Sequence, residues 1–316
     1  MSVGHMHSTK RFAPPTVSRQ MSDTSIDRSG PPDAEKNRFP RFIYGTAWKG
    51  DDTCRLVGLA LEAGFRAIDT ANQRKHYSEA GVGEALKQAF SQGLLTRAEV
   101  FLQTKFTYPH SQDHRLPFDP DAEPAVQLRQ SFASSLEHLG VASIDSFLLH
   151  GPSVDDGLAP ADLEVWHAME ELKSEGKTRF IGVSNISFEQ LELLCSHAKA
   201  PPTFVQNRCF ASAGWDREVR GFCRQYGITY QGFSLLTANA GHLLGGAFKE
   251  LVQRVGGTIP QVVFSFAHHL GMIPLTGTTD PHHMREDLDS AVALSESDLY
   301  EIEAIAENEL RVDDPD

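Results

Sequence analysis

The chain has no C-x-x-C pair, no unbroken apolar run near the roughly 20 residues a membrane helix needs, and no G-x-G-x-x-G turn after an early strand-like segment. Each absence closes off a class. The four scattered cysteines, Cys54, Cys195, Cys209 and Cys223, are expected as structural thiols in a reducing compartment. The amino terminus lacks the apolar core of a signal peptide, so the chain is expected to be cytoplasmic and to meet no membrane. Basic residues are outnumbered: 29 Lys and Arg stand against 42 Asp and Glu, a formal net charge of −13. A nucleic-acid partner would call for a basic footprint that this balance does not supply, although a local basic pocket for a phosphate remains open. The missing glycine-rich turn argues against a doubly wound dinucleotide fold.

What is present is a chain of 316 residues, 40% of them hydrophobic, which is enough for a large core. Residues 1–38 are rich in Ser, Pro, Asp and Arg, without apolar periodicity. They are expected to be a disordered extension, and the His5-Met6-His7 triplet within it a flexible tail and not a metal site. From Phe39 the pattern changes to short apolar runs alternating with amphipathic segments. Helices are expected over residues 53–63 (closed by Gly64), 79–90, 123–139, 161–175, 187–198, 215–226, 250–253, 260–270 and 295–307. Strands are expected at 42–44, 67–68, 100–104, 144–149, 180–183, 204–205, 228–232 and 272–275. Eight strands alternating with helices, near the roughly 30 residues of a βα unit, predict α/β architecture of the (β/α)8 TIM-barrel type as one domain over residues 39–316.

Three of these strands end in ionisable side chains: Asp69, Lys105 and His150. Singly, each has an ordinary reading as a cap, a sheet-edge residue or a satisfied core imidazole. Jointly they point elsewhere, because the carboxyl ends of barrel strands face one shared cavity. A buried Lys loses its charge unless an acid accompanies it, and Asp69 is the candidate. The ammonium would in turn lower the pKa of a phenol such as Tyr77, which could then pass a proton to and from a carbonyl oxygen that His150 orients. Such equipment suits a reaction that makes or consumes an alkoxide, and hydride transfer is its natural partner.

The successive motifs Gly64-Phe65-Arg66-Ala67-Ile68-Asp69-Thr70-Ala71, Thr104-Lys105, Leu148-Leu149-His150-Gly151-Pro152, the run from Lys177 to Asn185, and Val205-Gln206-Asn207 resemble, in order and spacing, those of the aldo-keto reductases. The resemblance runs from about Phe39 to the closing helix. It implies a tetrad of Asp69, Tyr77, Lys105 and His150, with Ser184, Asn185 and Gln206 holding a nicotinamide carboxamide. It also implies cofactor contacts at Thr46, Ser234 and Leu236, with Phe233 in place of the stacking Tyr of many members. Tyr77 lies farther from Asp69 than is usual in the family; counting back from Val82-Gly83 favours it over Tyr44 or Tyr108.

The segment from Ile273 to Asp287 resembles the family's 2′-phosphate loop. The resemblance places Gly277, Thr278 and Thr279 at the phosphate, His283 where an Arg is common, and Glu286 and Asp287 at adenine. The usual Lys of that loop is absent, so NADPH is expected with NADH as an alternative. The His268-His269 and His282-His283 pairs read as polar helix or loop residues, and no metal is expected. The family's long carboxy-terminal substrate loop looks shortened. Substrate selection then falls to Trp48, Tyr108, His110 and the loops around residues 108–120 and 151–160, the first a candidate lid. The expectation is an NAD(P)H-dependent carbonyl reductase or alcohol dehydrogenase acting on small molecules, as a monomer or weak dimer. The alternatives are a nicotinamide-binding redox sensor with little turnover and a barrel isomerase or lyase that binds no nicotinamide.

Overall fold

The computed structural model of the chain describes residues 39–306. The expected disordered extension and the last residue of the expected closing helix lie outside the described residues. Eight parallel strands close into a barrel in sequence order: β1 (Ile43–Gly45), β2 (Ala67–Asp69), β3 (Phe101–Phe106), β4 (Ile144–Leu149), β5 (Thr178–Ser184), β6 (Phe204–Arg208), β7 (Thr229–Phe233) and β8 (Ile273–Thr276). The seam is sealed by β1 pairing with β8, Ile43 opposite Leu275 and Tyr44 opposite Thr276. The expected (β/α)8 architecture is therefore observed.

The helices are α1 (Thr53–Ala63), α2 (Glu79–Ser91), α3 (Pro124–Leu139), α4 (Pro160–Ser174), α5 (Phe188–His197), α6 (Arg217–Gln225), α7 (Ala240–Leu243), α8 (Gly246–Val255), α9 (Ile259–His269), α10 (Pro281–Leu288) and α11 (Glu296–Glu303). Local sequence accounts for their limits. Gly64 ends α1 at φ 118°, where a side chain would be strained. Ser187, Thr258 and Ser295 cap α5, α9 and α11, each hydroxyl accepting a backbone N–H three residues on. α6 starts two residues later than its spacing predicts, because Trp215 and Asp216 are both left-handed, with φ of 57° and 59°. Gly83 lets α2 and α3 touch: a Cβ there would run into the His138 carbonyl.

Two apolar cores result. One lies between sheet and helices, with Trp166, Trp215, Phe147 and Phe264 among its largest buried side chains. The other fills the barrel below the site with Ile43, Ala67, Leu148, Phe180, Phe204, Ile273 and Leu275. Phe39 closes its floor, edge-on to Phe180 at 5.2 Å and to Phe204 at 4.8 Å. Packing in layers of inward side chains makes the interior a solid support for whatever stands at the open end.

Candidate active site

Above the apolar layer the barrel interior turns polar. Gln103 of β3, Gln206 of β6 and Gln231 of β7 exchange amide hydrogen bonds, and Gln103 and Gln206 both donate to Asp69 Oδ1, at 2.8 and 3.2 Å. Asp69 Oδ2 accepts the Lys105 ammonium at 2.6 Å, and Lys105 donates again to the Thr70 carbonyl at 2.9 Å. Lys105 is 1% exposed and Asp69 3%. Burial lowers the Lys105 pKa, while Asp69 and, more distantly, Glu79 raise it. Glu79 sits beneath β3, accepting from Thr104 at 2.6 Å and pairing with His138 at 3.2 Å.

Tyr77 and His150 complete the group. The Lys105 nitrogen lies 5.4 Å from the Tyr77 ring centroid, and the Tyr77 and His150 rings meet edge to face at 5.8 Å. Tyr77 reaches this place through a turn in which its N–H and that of His76 both bond the Gln73 carbonyl. Four residues scattered over 82 positions of sequence thus meet at one mouth. One expectation is corrected. The Tyr77 phenol is pushed up, not down: burial raises it first, then the Asp69 carboxylate, against a lowering by Arg208. The salt bridge cancels much of the Lys105 charge as seen from the phenol, so desolvation wins.

His150 is kept neutral. Burial, then the charges of Lys105 and His76, push its pKa down to about 3. Its Nδ1 lies 2.7 Å from the Thr107 hydroxyl. When that hydroxyl donates, the imidazole carries its proton on Nε2.

The other expected residues divide. Ser184, Asn185 and Gln206 cluster: the Ser184 hydroxyl donates to the Gln206 carbonyl at 2.6 Å, and Asn185 Nδ2 donates to the His150 carbonyl at 2.7 Å. Trp48, Asn185 and Ser234, in the loops that leave β1, β5 and β7, all have left-handed backbones. Such backbones are uncommon for residues other than glycine. The Thr46 hydroxyl is spent on the Asp69 carbonyl at 2.9 Å. Phe233 and Leu236 are half-buried at the β7 end, and Trp48 is 76% exposed with its ring 3.7 Å from that of His76.

Three of the expected contact features are engaged within the protein. Tyr108 is not open to a substrate: it is 7% exposed and its hydroxyl donates to Asp162 Oδ1 at 2.8 Å. Asp162 also binds Ser153 and the Ala159 N–H, which ties the β4–α4 loop to Tyr108. His110 stacks against Tyr108 from the solvent side, with centroids 5.9 Å apart. Asp287, expected at adenine, is likewise engaged within the protein. It is buried and accepts the Thr276 hydroxyl at 2.7 Å, and burial lifts its pKa to about 6. Nor is the β3–α3 loop a free lid, because it is strapped to the Tyr77 loop. Gln73 Nε2 donates to the Ser111 carbonyl at 2.7 Å, Gln112 Nε2 to the Asn72 carbonyl at 2.8 Å, and Arg115 Nη2 to the Arg74 carbonyl at 2.7 Å.

At the β1–β8 seam, the segment Gly277, Thr278 and Thr279 runs out to α10, where His283 is exposed and Glu286 pairs with His282 at 3.3 Å. A cation reaches that segment from another loop. Lys49, after β1, donates to the Gly277 carbonyl at 2.7 Å and lies over the Tyr44 ring at 5.0 Å. Burial lowers its pKa to about 8. No spacing signal ties Lys49 to Gly277; the barrel closure does. Among the described residues no cluster of His, Cys, Asp or Glu could hold a metal, and no helix is long and apolar enough to cross a membrane.

With this geometry in place, the comparisons agree with it. The family model for the aldo/keto reductases matches residues 43–307. The chain belongs to that family. It is 32% identical over 275 residues to deoxymugineic acid synthase 1-D of Triticum aestivum, covering 79% of this chain and 82% of the relative. It is 29% identical over 305 residues to an NAD(P)H-dependent 6'-deoxychalcone synthase of Glycine max, covering 89% and 91%. Among solved structures, an aldo/keto reductase of Brucella melitensis matches with a TM-score of 0.72 and 26% identity, over 84% of this chain and 94% of that one. In this aldo/keto reductase Asp69, Lys105 and His150 stand at or just beyond the carboxyl ends of β2, β3 and β4.

Proposed function

We propose that the chain reduces aldehydes or ketones of small molecules to alcohols, with NADPH as the preferred cofactor. The observation that supports this reading most is the buried Asp69–Lys105 pair set beneath the Tyr77 ring with a neutral His150 beside it. Bound reduced nicotinamide supplies a hydride. Every other step falls to the protein. His150, uncharged at neutral pH, donates Nε2–H to the carbonyl oxygen and fixes its direction. Tyr77, held protonated by burial, gives its proton to the same oxygen as negative charge develops there. Lys105, kept charged by Asp69, stabilises the phenolate left behind, and solvent returns the proton.

The residues present fit a dinucleotide. Amide and hydroxyl groups of Ser184, Asn185 and Gln206 converge at the mouth for the carboxamide, and the half-buried Phe233 ring offers a face for stacking. Lys49, with the exposed Gly277–Thr279 backbone, suits a phosphate. Against a 2′-phosphate stands Asp280, the N-cap of α10, whose carboxylate already occupies the His282 N–H at 2.7 Å. An anion at that place disfavours another, so NADH use alongside NADPH belongs to the proposal. Trp48 and His76 form an aromatic wall for the substrate, and the alcohol oxidation is the same route reversed.

Titration with NADPH and NADH, followed by a carbonyl and alcohol panel read at the nicotinamide absorbance, tests the reading. Saturable binding with turnover of some carbonyl is the expected result; binding with no turnover across the panel overturns it.

A further inference from the structure

Side chains along β6 alternate. Gln206 turns inward to Asp69 and Gln231, while Asn207 turns outward, bonding the Ile186 backbone and Asp216 Oδ2. Arg208, the last residue of β6 and two beyond Gln206, therefore shares the inward face at the open rim. Its register partner is Phe233 of β7, and the guanidinium carbon lies 5.4 Å from the centre of that ring. Arg97, Arg129, Arg220 and Arg254 each pair with a carboxylate. Arg208 is exposed, and among the described residues no acidic side chain pairs with it. In a chain of net charge −13, Arg208 places a guanidinium without a carboxylate partner at the rim of the site.

We propose that Arg208 recognises a carboxylate on the carbonyl substrate, which makes the natural substrate a keto or aldehydo acid. The inference rests on the reading of the mouth as a carbonyl-reducing site and adds the substrate class to it. A planar guanidinium takes a carboxylate through two parallel hydrogen bonds, a match that neutral carbonyl compounds do not make. Arg208 at the end of β6 and Tyr77 beside Lys105 of β3 both stand at the volume over the open end of the barrel. A substrate with its carbonyl at Tyr77 extends its remaining groups into that volume. The phosphate-binding features, Lys49 and the segment after β8, stand at the β1–β8 seam, two strands from β6. Arg208 thus serves the reacting end and not the phosphates.

The test compares wild type with Arg208→Met and Arg208→Lys on two acid–ester pairs, succinic semialdehyde and phenylglyoxylate, each against its methyl ester, with NADPH. For at least one pair, Arg208→Met is expected to raise KM for the acid about tenfold or more while the ester KM stays within about twofold. Arg208→Lys recovers part of the loss, and the Kd for NADPH, read by fluorescence titration, holds. Equal changes for acid and ester in both pairs overturn the proposal, as does a raised Kd for NADPH without an acid–ester difference. A second arm needs no turnover: calorimetry of phenylacetate binding to the enzyme–NADP+ complex, expected to weaken in Arg208→Met. If wild type reduces neither acid nor ester, the carbonyl-reduction reading falls, and the calorimetry still decides Arg208. Phenylacetate binding that is absent in wild type, or unchanged in the variant, sinks the anion site.

Discussion

Lys105 donates its ammonium to Asp69 Oδ2 across 2.6 Å, and neither side chain has more than a trace of contact with solvent. The pair is a local necessity, since each charge is tolerable there only because of the other. Breaking it from one side is expected to be severe: Lys105→Met or Asp69→Leu should destabilise the fold by about 3–5 kcal/mol, while the double substitution costs less than the sum of the two. Chemical denaturation of the three variants measures this, and strict additivity would count against the coupling.

Tyr77→Phe removes the hydroxyl and leaves the ring against His150 and Lys105. Turnover should fall by about 10²–10⁴-fold with cofactor affinity nearly unchanged. Turnover that survives the substitution would mean that another group donates the proton.

Directions of reaction should separate with pH. The Tyr77 pKa is raised, so the phenol stays in its acid form through neutral pH and reduction is supported there. Alcohol oxidation needs the phenolate and should climb steadily as pH rises. His150 gains a proton only near pH 3, so it adds no break to either profile above about pH 5. An inflection near 6.5 that vanishes in His150→Asn would refute the neutral imidazole.

At the cofactor's far end the sign is opposite. Lys49 loses its proton as pH rises through about 8, so the hold on a phosphate proposed for it would be present below that and fade above it. Affinity for NADPH should drop at alkaline pH in wild type and stay flat in Lys49→Arg, whose charge persists. Asp280→Asn should shift preference further towards NADPH over NADH, read as the ratio of the two dissociation constants.

Much of this was legible in the chain, and the reasons for the rest are physical. Helix α1 is found at its expected limits because an apolar stripe and a terminal glycine both act locally. Asp69, Lys105 and His150 announce themselves by ending apolar runs. Helix α10 escaped notice because Pro281–Leu288 is mostly polar, with Met284 and Asp287 as its buried side chains. Tyr108 looked available because its partner, Asp162, is 54 positions away. Lys49 carries no signal in the sequence because it meets Gly277 across 228 positions, a contact that exists only once the cylinder shuts. Pattern within one segment survives translation into sequence; pairing between segments does not.

The chain has 3 tryptophans, and Trp166 and Trp215 are wholly interior, whereas Trp48 stands out in water against His76. Light emission from the molecule therefore comes from two sheltered indoles and one wet one, and the wet one is the residue proposed to guard the entrance. A soluble quencher such as acrylamide will reach Trp48 first, and anything that lodges beside it will shield it. The enzyme carries, without labelling, its own optical gauge of whether its doorway is occupied.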